Sequence, residues 1–143
     1  MKTLKITLAL VLFLLLAPAI TQAQDNTVFT ITTWKIHIPE DGTREELNTL
    51  MAEFQKKITQ PNEKIISERA MRHLSGDDSR DLVFITEYAN WNDIEAASIR
   101  QEELIDSAWE SDEARDAFFK KFNKYFIMHT DEIYSGINNF DKN

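Results

Sequence analysis

The sequence predicts an α+β domain with a four-stranded antiparallel sheet and helices on one face. Extended and amphipathic helical segments alternate in the order strand, helix, two strands, helices, strand. Residues 82–97 change their hydrophobic period from about two to about 3.6 residues with no glycine or proline between, so a strand passes directly into a helix. The order is a split βαβ unit repeated once, which forms one antiparallel sheet.

The first strand and helix have clear boundaries. Residues 28–38 are rich in threonine, isoleucine and aromatics, and Pro39 ends this strand. Thr43 and Glu46 form a capping box at the start of a helix, which Pro61 stops. The predicted inward strand face is Val28, Thr30, Thr32, Trp34, Ile36 and Ile38, and the predicted helix face is Leu47, Leu50, Met51, Phe54 and Ile58.

The remaining elements follow from the same signals. Residues 64–74 and 81–89 are extended runs around a hairpin loop at 75–78, and residues 128–137 read as a closing strand. Asn90 or Asn92 caps one helix, and Ser111 caps another. The predicted inward residues are Ile94, Ala97, Gln101, Leu104, Ile105 and Ala108 in the first of these helices, and Ala114, Phe118, Phe119, Phe122, Tyr125 and Phe126 in the second.

The amino terminus has the pattern of a secretory signal peptide in residues 1–23. Two lysines precede an apolar run at 6–17 and a small-residue cleavage site after Ala23. The run has about 12 residues and a membrane-spanning helix needs about 20, so we expect a removed signal and no membrane anchor. The expected product is a periplasmic or extracellular single domain, residues 24–143.

Charge and motifs exclude several functions. Removing Lys2 and Lys5 from the 16 basic residues leaves 14 against 24 acidic ones, a formal charge of −10 that disfavours nucleic acid as a partner. The chain has no cysteine, which excludes disulfides and thiolate metal sites. No phosphate loop, dinucleotide motif or hydrolase elbow occurs, so we expect no cofactor and no metal.

The predicted sheet has an uncovered face. Phe29, Ile31, Val83 and Ile85 alternate with the inward residues and would lie on the side away from the helices. Exposing such an apolar surface to water costs free energy. A two-fold axis would cover it with the same surface of a second chain. We therefore expect a homodimer.

Three segments resemble a known family, the dimeric α+β barrel proteins with a ferredoxin-like fold. They are residues 31–35 (ITTWK), residues 84–88 (FITEY) followed by Trp91, and residues 109–112 (WESD). The antibiotic-biosynthesis monooxygenase-like and NIPSNAP-like branches are the most similar. The resemblance implies sheet-to-sheet homodimers and a small apolar or aromatic molecule held between sheet and helices, with cofactor-free oxygen chemistry in some relatives.

The same resemblance implies a set of pocket residues. Trp34 and Tyr88 are the main candidates because each has a polar atom that needs a partner when buried. Their candidate neighbours are Thr32, Thr86, Phe54, Phe118 and Phe122. The alternative is that the aromatics are plain core. The haem-degrading branch uses an asparagine, a tryptophan and a histidine where this chain has Trp34, Tyr88 and Phe118, which disfavours haem degradation.

Histidines and acids give weaker candidates. His37 and His129 would be cross-strand neighbours in the family's 4-1-3-2 strand order, and Asp131 or Glu132 nearby would complete a general base or weak metal site. The alternative is two structural histidines at strand ends, as expected for His73. The acidic loop around residues 77–81 lacks the ligand spacing of a calcium loop.

Two functions and one other fold stay open on the sequence. The chain is either a small-molecule binding or converting protein, or a non-catalytic dimeric module whose acidic surface contacts a partner protein. A SnoaL-like cone barrel is the alternative fold, although such chains usually begin with helices. A first strand flanked by the third and last strands would exclude it.

Overall fold

A computed structural model describes residues 26–137 of the 143-residue chain. The predicted signal peptide, residues 1–23, lies outside these residues. Within 26–137 no helix has the length and apolar character that crossing a membrane requires.

The first strand, β1 (Val28–Ile36), ends two residues before the predicted boundary. Beyond it the N–H of His37 donates to the carbonyl of Tyr125 at 2.9 Å, outside the regular ladder. Helix α1 (Arg44–Phe54) begins as predicted, since the Thr43 hydroxyl accepts the Glu46 N–H at 3.0 Å. A π-helical turn, Gln55–Thr59, then continues it to the predicted stop.

The predicted hairpin is confirmed as β2 (Ser67–Arg72) and β3 (Asp81–Tyr88). Gly76 in the connecting loop has a φ of 136°, a conformation that side-chain-bearing residues rarely adopt. This backbone conformation therefore explains why the loop uses one of the three glycines in the chain.

Two helices and a strand complete the domain. Helix α2 (Asn92–Ser107) has Trp91, and neither predicted asparagine, at its N-cap position, and Trp91 makes no side-chain cap hydrogen bond. Asn90, one residue earlier, accepts the Asn92 N–H at 2.9 Å through its side chain. Ser111 caps α3 (Asp112–Asn123) by accepting the Ala114 N–H at 3.2 Å. Strand β4 (Phe126–Ser135) begins and ends two residues before the predicted strand.

The sheet is antiparallel with the order β2-β3-β1-β4. This is the predicted 4-1-3-2 order read from the other edge, and it excludes the SnoaL-like alternative because β1 lies between the third and last strands. At the carboxyl end of β1 the register with β4 shifts between Lys35 and Ile36, which leaves Ile127 without a paired residue.

The core lies between one face of the sheet and the three helices. Ile36 and Leu82 from the sheet pack with Leu47 and Leu50 of α1 and with Phe118 of α3. Most predicted inward positions are covered, but Ile38, Gln101 in α2 and Ala114 at the start of α3 are exposed. Ile38 lies past the end of β1, and Gln101 and Ala114 are polar or small residues that lose little by facing water.

Phe29, Ile31, Val83 and Ile85 lie on the opposite face, as predicted from their alternation with the inward residues. Ile31 faces Ile85 across the strands at the centre of this face. Met71, Met128 and Tyr134 extend the same surface to both edges and are 43%, 57% and 47% exposed. We call this the outer face, and no described segment of the chain covers it.

Candidate functional site

The aromatic residues predicted to line a central pocket instead pack against one another. Phe122 stacks on Phe54 at 5.5 Å and on Phe118 at 5.4 Å between ring centroids, and Phe118 is 6% exposed. Trp109 and Phe119 extend the cluster. These three predicted pocket residues therefore occupy the space between sheet and helices, as the core interpretation predicts.

Thr86, another predicted pocket residue, is buried and pairs with a carboxylate that the sequence analysis missed. Its hydroxyl donates to Glu68 of β2 at 3.1 Å, and the Thr59 hydroxyl from the π-helical turn donates to the same carboxylate at 3.4 Å. Burial raises the pKa of Glu68, while the hydrogen bond from Thr86 partly offsets that rise. The only sequence signal was a charged residue at an inward-facing register position of β2.

Tyr88 ends β3 opposite Val28 and is 8% exposed. Within residues 26–137 its hydroxyl makes no hydrogen bond. Tyr88 lies at the opposite end of β1 from Trp34, because the antiparallel register pairs Trp34 with Leu82. The structure thus separates the two main pocket candidates by the length of the sheet.

Trp34 is paired with a histidine. In the register of β1 and β4 it faces His129, and the two rings lie 4.1 Å apart with 9° between their planes. Phe126 contacts the indole edge-on at 5.0 Å. Trp34 is half-buried, and the side chain of His129 is 41% exposed. This stack therefore presents ring surface on the helix-facing side of the sheet at its β4 edge.

Two polar side chains lie beside this pair. The Thr32 hydroxyl donates to Oδ1 of Asp131 at 2.7 Å, and Oδ2 of Asp131 lies 3.4 Å from Nδ1 of His129, without the alignment of a hydrogen bond. A negative charge near Nδ1 favours the tautomer with its proton on that nitrogen, which leaves Nε2 as the acceptor. Within the described part of the chain Nε2 has no hydrogen-bond partner. We call Thr32, Trp34, His129 and Asp131 the β4 site.

An open depression lies on the same side of β4. It has a volume of about 380 Å³. Ile133, two residues beyond Asp131 and on the same strand face, is its lining residue from the sheet. Its other lining residues belong to or precede the first turns of α2 and are Trp91, Asn92, Ile94, Glu95 and Ser98. No residue of the β4 site lines the depression, which lies further along β4 toward the end of the sheet that holds Tyr88.

The predicted pairing of His37 with His129 is wrong. Trp34 lies opposite His129, and His37 lies past the end of β1 and is exposed. The prediction placed the partner of His129 three residues too far along β1, because the register of two strands could not be inferred from sequence. Among residues 26–137 no group of His, Asp or Glu side chains is arranged to hold a metal ion.

The acidic loop has a structural role. Arg80 and Lys35 bind the carboxylate of Asp78, with nitrogen to oxygen distances of 2.9 and 3.0 Å, and hold its pKa well below the usual range. Asp81 also pairs with Lys35. These contacts tie the hairpin to β1 at the outer face.

Comparisons with known proteins support the fold. The sequence matches no protein-family model and no curated protein. Among solved structures, SnoaB, a cofactor-independent oxygenase from Streptomyces nogalater, is 8% identical with a TM-score of 0.51, over 82% of this chain and 99% of SnoaB. A putative antibiotic biosynthesis monooxygenase from Caulobacter crescentus CB15 is 10% identical with a TM-score of 0.52, over 80% and 93% of the two chains.

A dimeric ferredoxin-like protein from an uncultured marine organism is 9% identical with a TM-score of 0.53, over 84% of this chain and 96% of that one. The chain therefore has the ferredoxin-like α+β fold found in antibiotic-biosynthesis monooxygenase-like proteins, as the sequence resemblance predicted. At these identities the likeness is one of fold.

Proposed function

We propose that this chain is an exported homodimeric α+β barrel protein that binds a small aromatic or apolar molecule at the β4 site. The observation that carries the proposal is the half-exposed stack of Trp34 and His129, with Asp131 and Thr32 next to it and an open depression further along β4. Flat apolar surface combined with a few fixed polar groups is the usual composition of a small-molecule site.

The position of this site differs from the one expected from the family resemblance. Phe54, Phe118 and Phe122 fill the centre of the domain, so the ligand is placed at the edge where the helices leave β4 uncovered. Ile133 is 45% exposed there and adds apolar surface next to Asp131. Trp34 and Thr32 are the predicted ligand residues that belong to this site.

The homodimer is supported by the outer face. Its apolar residues lie on all four strands, and a surface of this kind is rare on a monomer unless something covers it. The marine protein with a similar fold is dimeric. The outer face is on the opposite side of β4 from His129, so pairing through it leaves the β4 site accessible.

Oxidation of the bound ring without a cofactor is the activity to assay first, because SnoaB is a cofactor-independent oxygenase of the same fold. Export through residues 1–23 is part of the same proposal and rests on the signal-peptide pattern. The alternative is a non-catalytic dimeric module, which the filled aromatic core favours.

A binding titration monitored by NMR separates these functions. The chain has three tryptophans, so a ¹⁵N-labelled sample has three indole N–H signals, which Trp→Phe variants assign. We expect 4-nitroanisole, a neutral aromatic probe, to shift the Trp34 signal in a saturable way and to leave the Trp109 signal unchanged. Absence of any saturable shift at Trp34 would contradict binding at the β4 site and support the module.

A further inference from the structure

We propose that His129 accepts the proton of an acidic hydroxyl on the ligand, so that the β4 site selects phenols and binds them as phenolates. This inference rests on the proposed function and specifies the ligand class. It assigns His129 a chemical role beyond stacking on Trp34.

The geometry of Asp131 is the first support. Its two carboxylate oxygens are divided between neighbours, Oδ1 accepting from Thr32 at 2.7 Å and Oδ2 lying 3.4 Å from Nδ1 of His129. The hydroxyl of Thr32 thus fixes the carboxylate close to the imidazole. A carboxylate near Nδ1 favours the tautomer that presents Nε2 as a base toward whatever binds beside it.

The stack on Trp34 is the second support. With the imidazole parallel to the indole at 4.1 Å, His129 cannot rotate about its Cβ–Cγ bond without losing that contact. A base on a β-strand that is held on one ring face has little conformational freedom to lose when a ligand binds. A ring that lies against the exposed edge of this stack would bring a hydroxyl substituent to Nε2.

Charge balance favours a ligand that arrives neutral and ionises in place. The chain carries a formal charge of −8 at pH 7, which disfavours an approaching anion. When a phenol O–H bond breaks, its proton goes to Nε2 and the electron pair stays on oxygen. The imidazolium formed is stabilised by Asp131 on one side and by the phenolate on the other. No oxidant or further reactant takes part in this step.

The test compares 4-nitrophenol with 4-nitroanisole, which has the same ring but no acidic proton. The phenolate of 4-nitrophenol is yellow and the phenol is not, so absorbance reports the ionisation state of the bound probe. In the unaltered protein we expect binding to raise the phenolate absorbance of 4-nitrophenol at a fixed pH. We expect 4-nitroanisole to bind with no comparable spectral change.

Two variants locate the proton acceptor. His129→Gln should abolish the increase in phenolate absorbance and weaken 4-nitrophenol binding roughly tenfold or more, while 4-nitroanisole affinity stays within about twofold. Asp131→Asn should reduce the absorbance change. Glu132→Gln removes one carboxylate from the other face of the same strand and serves as the matched control, with no change expected.

The outcomes are distinct. If neither probe binds, the proposed binding function itself fails. If 4-nitroanisole binds but 4-nitrophenol binds as the neutral phenol, or if His129→Gln keeps the phenolate signal, only the proton-acceptor role is overturned.

Discussion

The imidazole of His129 lies flat against the indole of Trp34, with 4.1 Å between ring centroids and 9° between ring planes. The two residues face each other on adjacent strands, so the backbone register brings them together. Because strands hold side chains more rigidly than loops do, the pair is a fixed surface and not an accidental contact. This relationship is the basis of the proposed ligand site.

The stack should be visible in the NMR spectrum of the free protein. A ring centred over an indole experiences its ring current, so we expect the imidazole carbon-bound protons of His129 to resonate upfield of the other two histidines. Trp34→Leu should remove that displacement. Trp91→Leu removes an exposed tryptophan that does not contact His129 and is the matched control. An unshifted His129 in the unaltered protein would contradict the stack.

Tyr125 should contribute to stability through its hydroxyl. This side chain is 0% exposed, and its hydroxyl accepts the Thr43 N–H at 3.1 Å and donates to Glu46, joining the start of α1 to the end of α3. Tyr125→Phe leaves the Thr43 N–H without this partner, so we expect the free energy of unfolding in urea to fall by about 1–2 kcal/mol.

Tyr88→Phe is the control for that measurement. Tyr88 is also buried, but within residues 26–137 its hydroxyl makes no hydrogen bond. Loss of that hydroxyl should change the free energy of unfolding by less than about 0.5 kcal/mol, because no hydrogen bond is lost. Equal effects of the two substitutions would show that the hydrogen bonds of the Tyr125 hydroxyl have no special role.

Gly42 should not tolerate a side chain, because the ring of Tyr125 packs directly against its backbone. A Cβ at this position would lie 2.6 Å from the hydroxyl oxygen of Tyr125 and 2.9 Å from Cγ of Pro39. We expect Gly42→Ala to displace Tyr125 and to destabilise the fold by about 1–3 kcal/mol in urea unfolding. In a Tyr125→Phe background the cost should be smaller, because the closest clashing atom is gone. Additive effects would contradict this account.

Glu68 should titrate above its usual value of 4.5, because burial penalises its charged form. Its folded-state pKa is then higher than its unfolded-state pKa, so this group reduces stability as the pH rises above about 4.5. Carboxyl ¹³C shifts measured against pH give the midpoint directly. Thr86→Val removes a hydrogen bond that favours the charged form and should raise the midpoint further. A midpoint at or below 4.5 would contradict this prediction.

The outer face should control assembly. Ile31 and Ile85 face each other at its centre, so Ile31→Glu places a charge in the middle of the proposed interface. We expect sedimentation velocity to give a dimer for the unaltered protein and a monomer for the variant. Ile99→Glu, on an exposed α2 position, should leave the dimer intact. A monomeric unaltered protein would contradict the dimer proposal.

The fold could be predicted from the sequence because its signals are local and mutually consistent. Thr43 and Ser111 identify two helix starts, and the alternation that separates Ile31 from Thr32 assigns two sheet faces. Gly76 indicates the hairpin turn. Each of these depends on neighbours within a few residues, so side-chain chemistry alone determines it.

The candidate site was harder to predict because it depends on register. Thr32, Trp34 and His129 were named from the sequence, but the partner of His129 was taken to be His37. The regular register of β1 and β4 gives it Trp34 instead, and register cannot be inferred from sequence. Glu68 was missed because a glutamate on an edge strand is ordinarily solvated, and only the π-helical turn above it brings the Thr59 hydroxyl into contact.

The most direct test of the central claim is a set of intermolecular NOEs between bound 4-nitrophenol and the protein. The account predicts NOEs from the ring protons of the probe to the imidazole of His129 and the indole of Trp34. NOEs confined to Trp91 and Ile94, or to the outer-face residue Ile31, would contradict it.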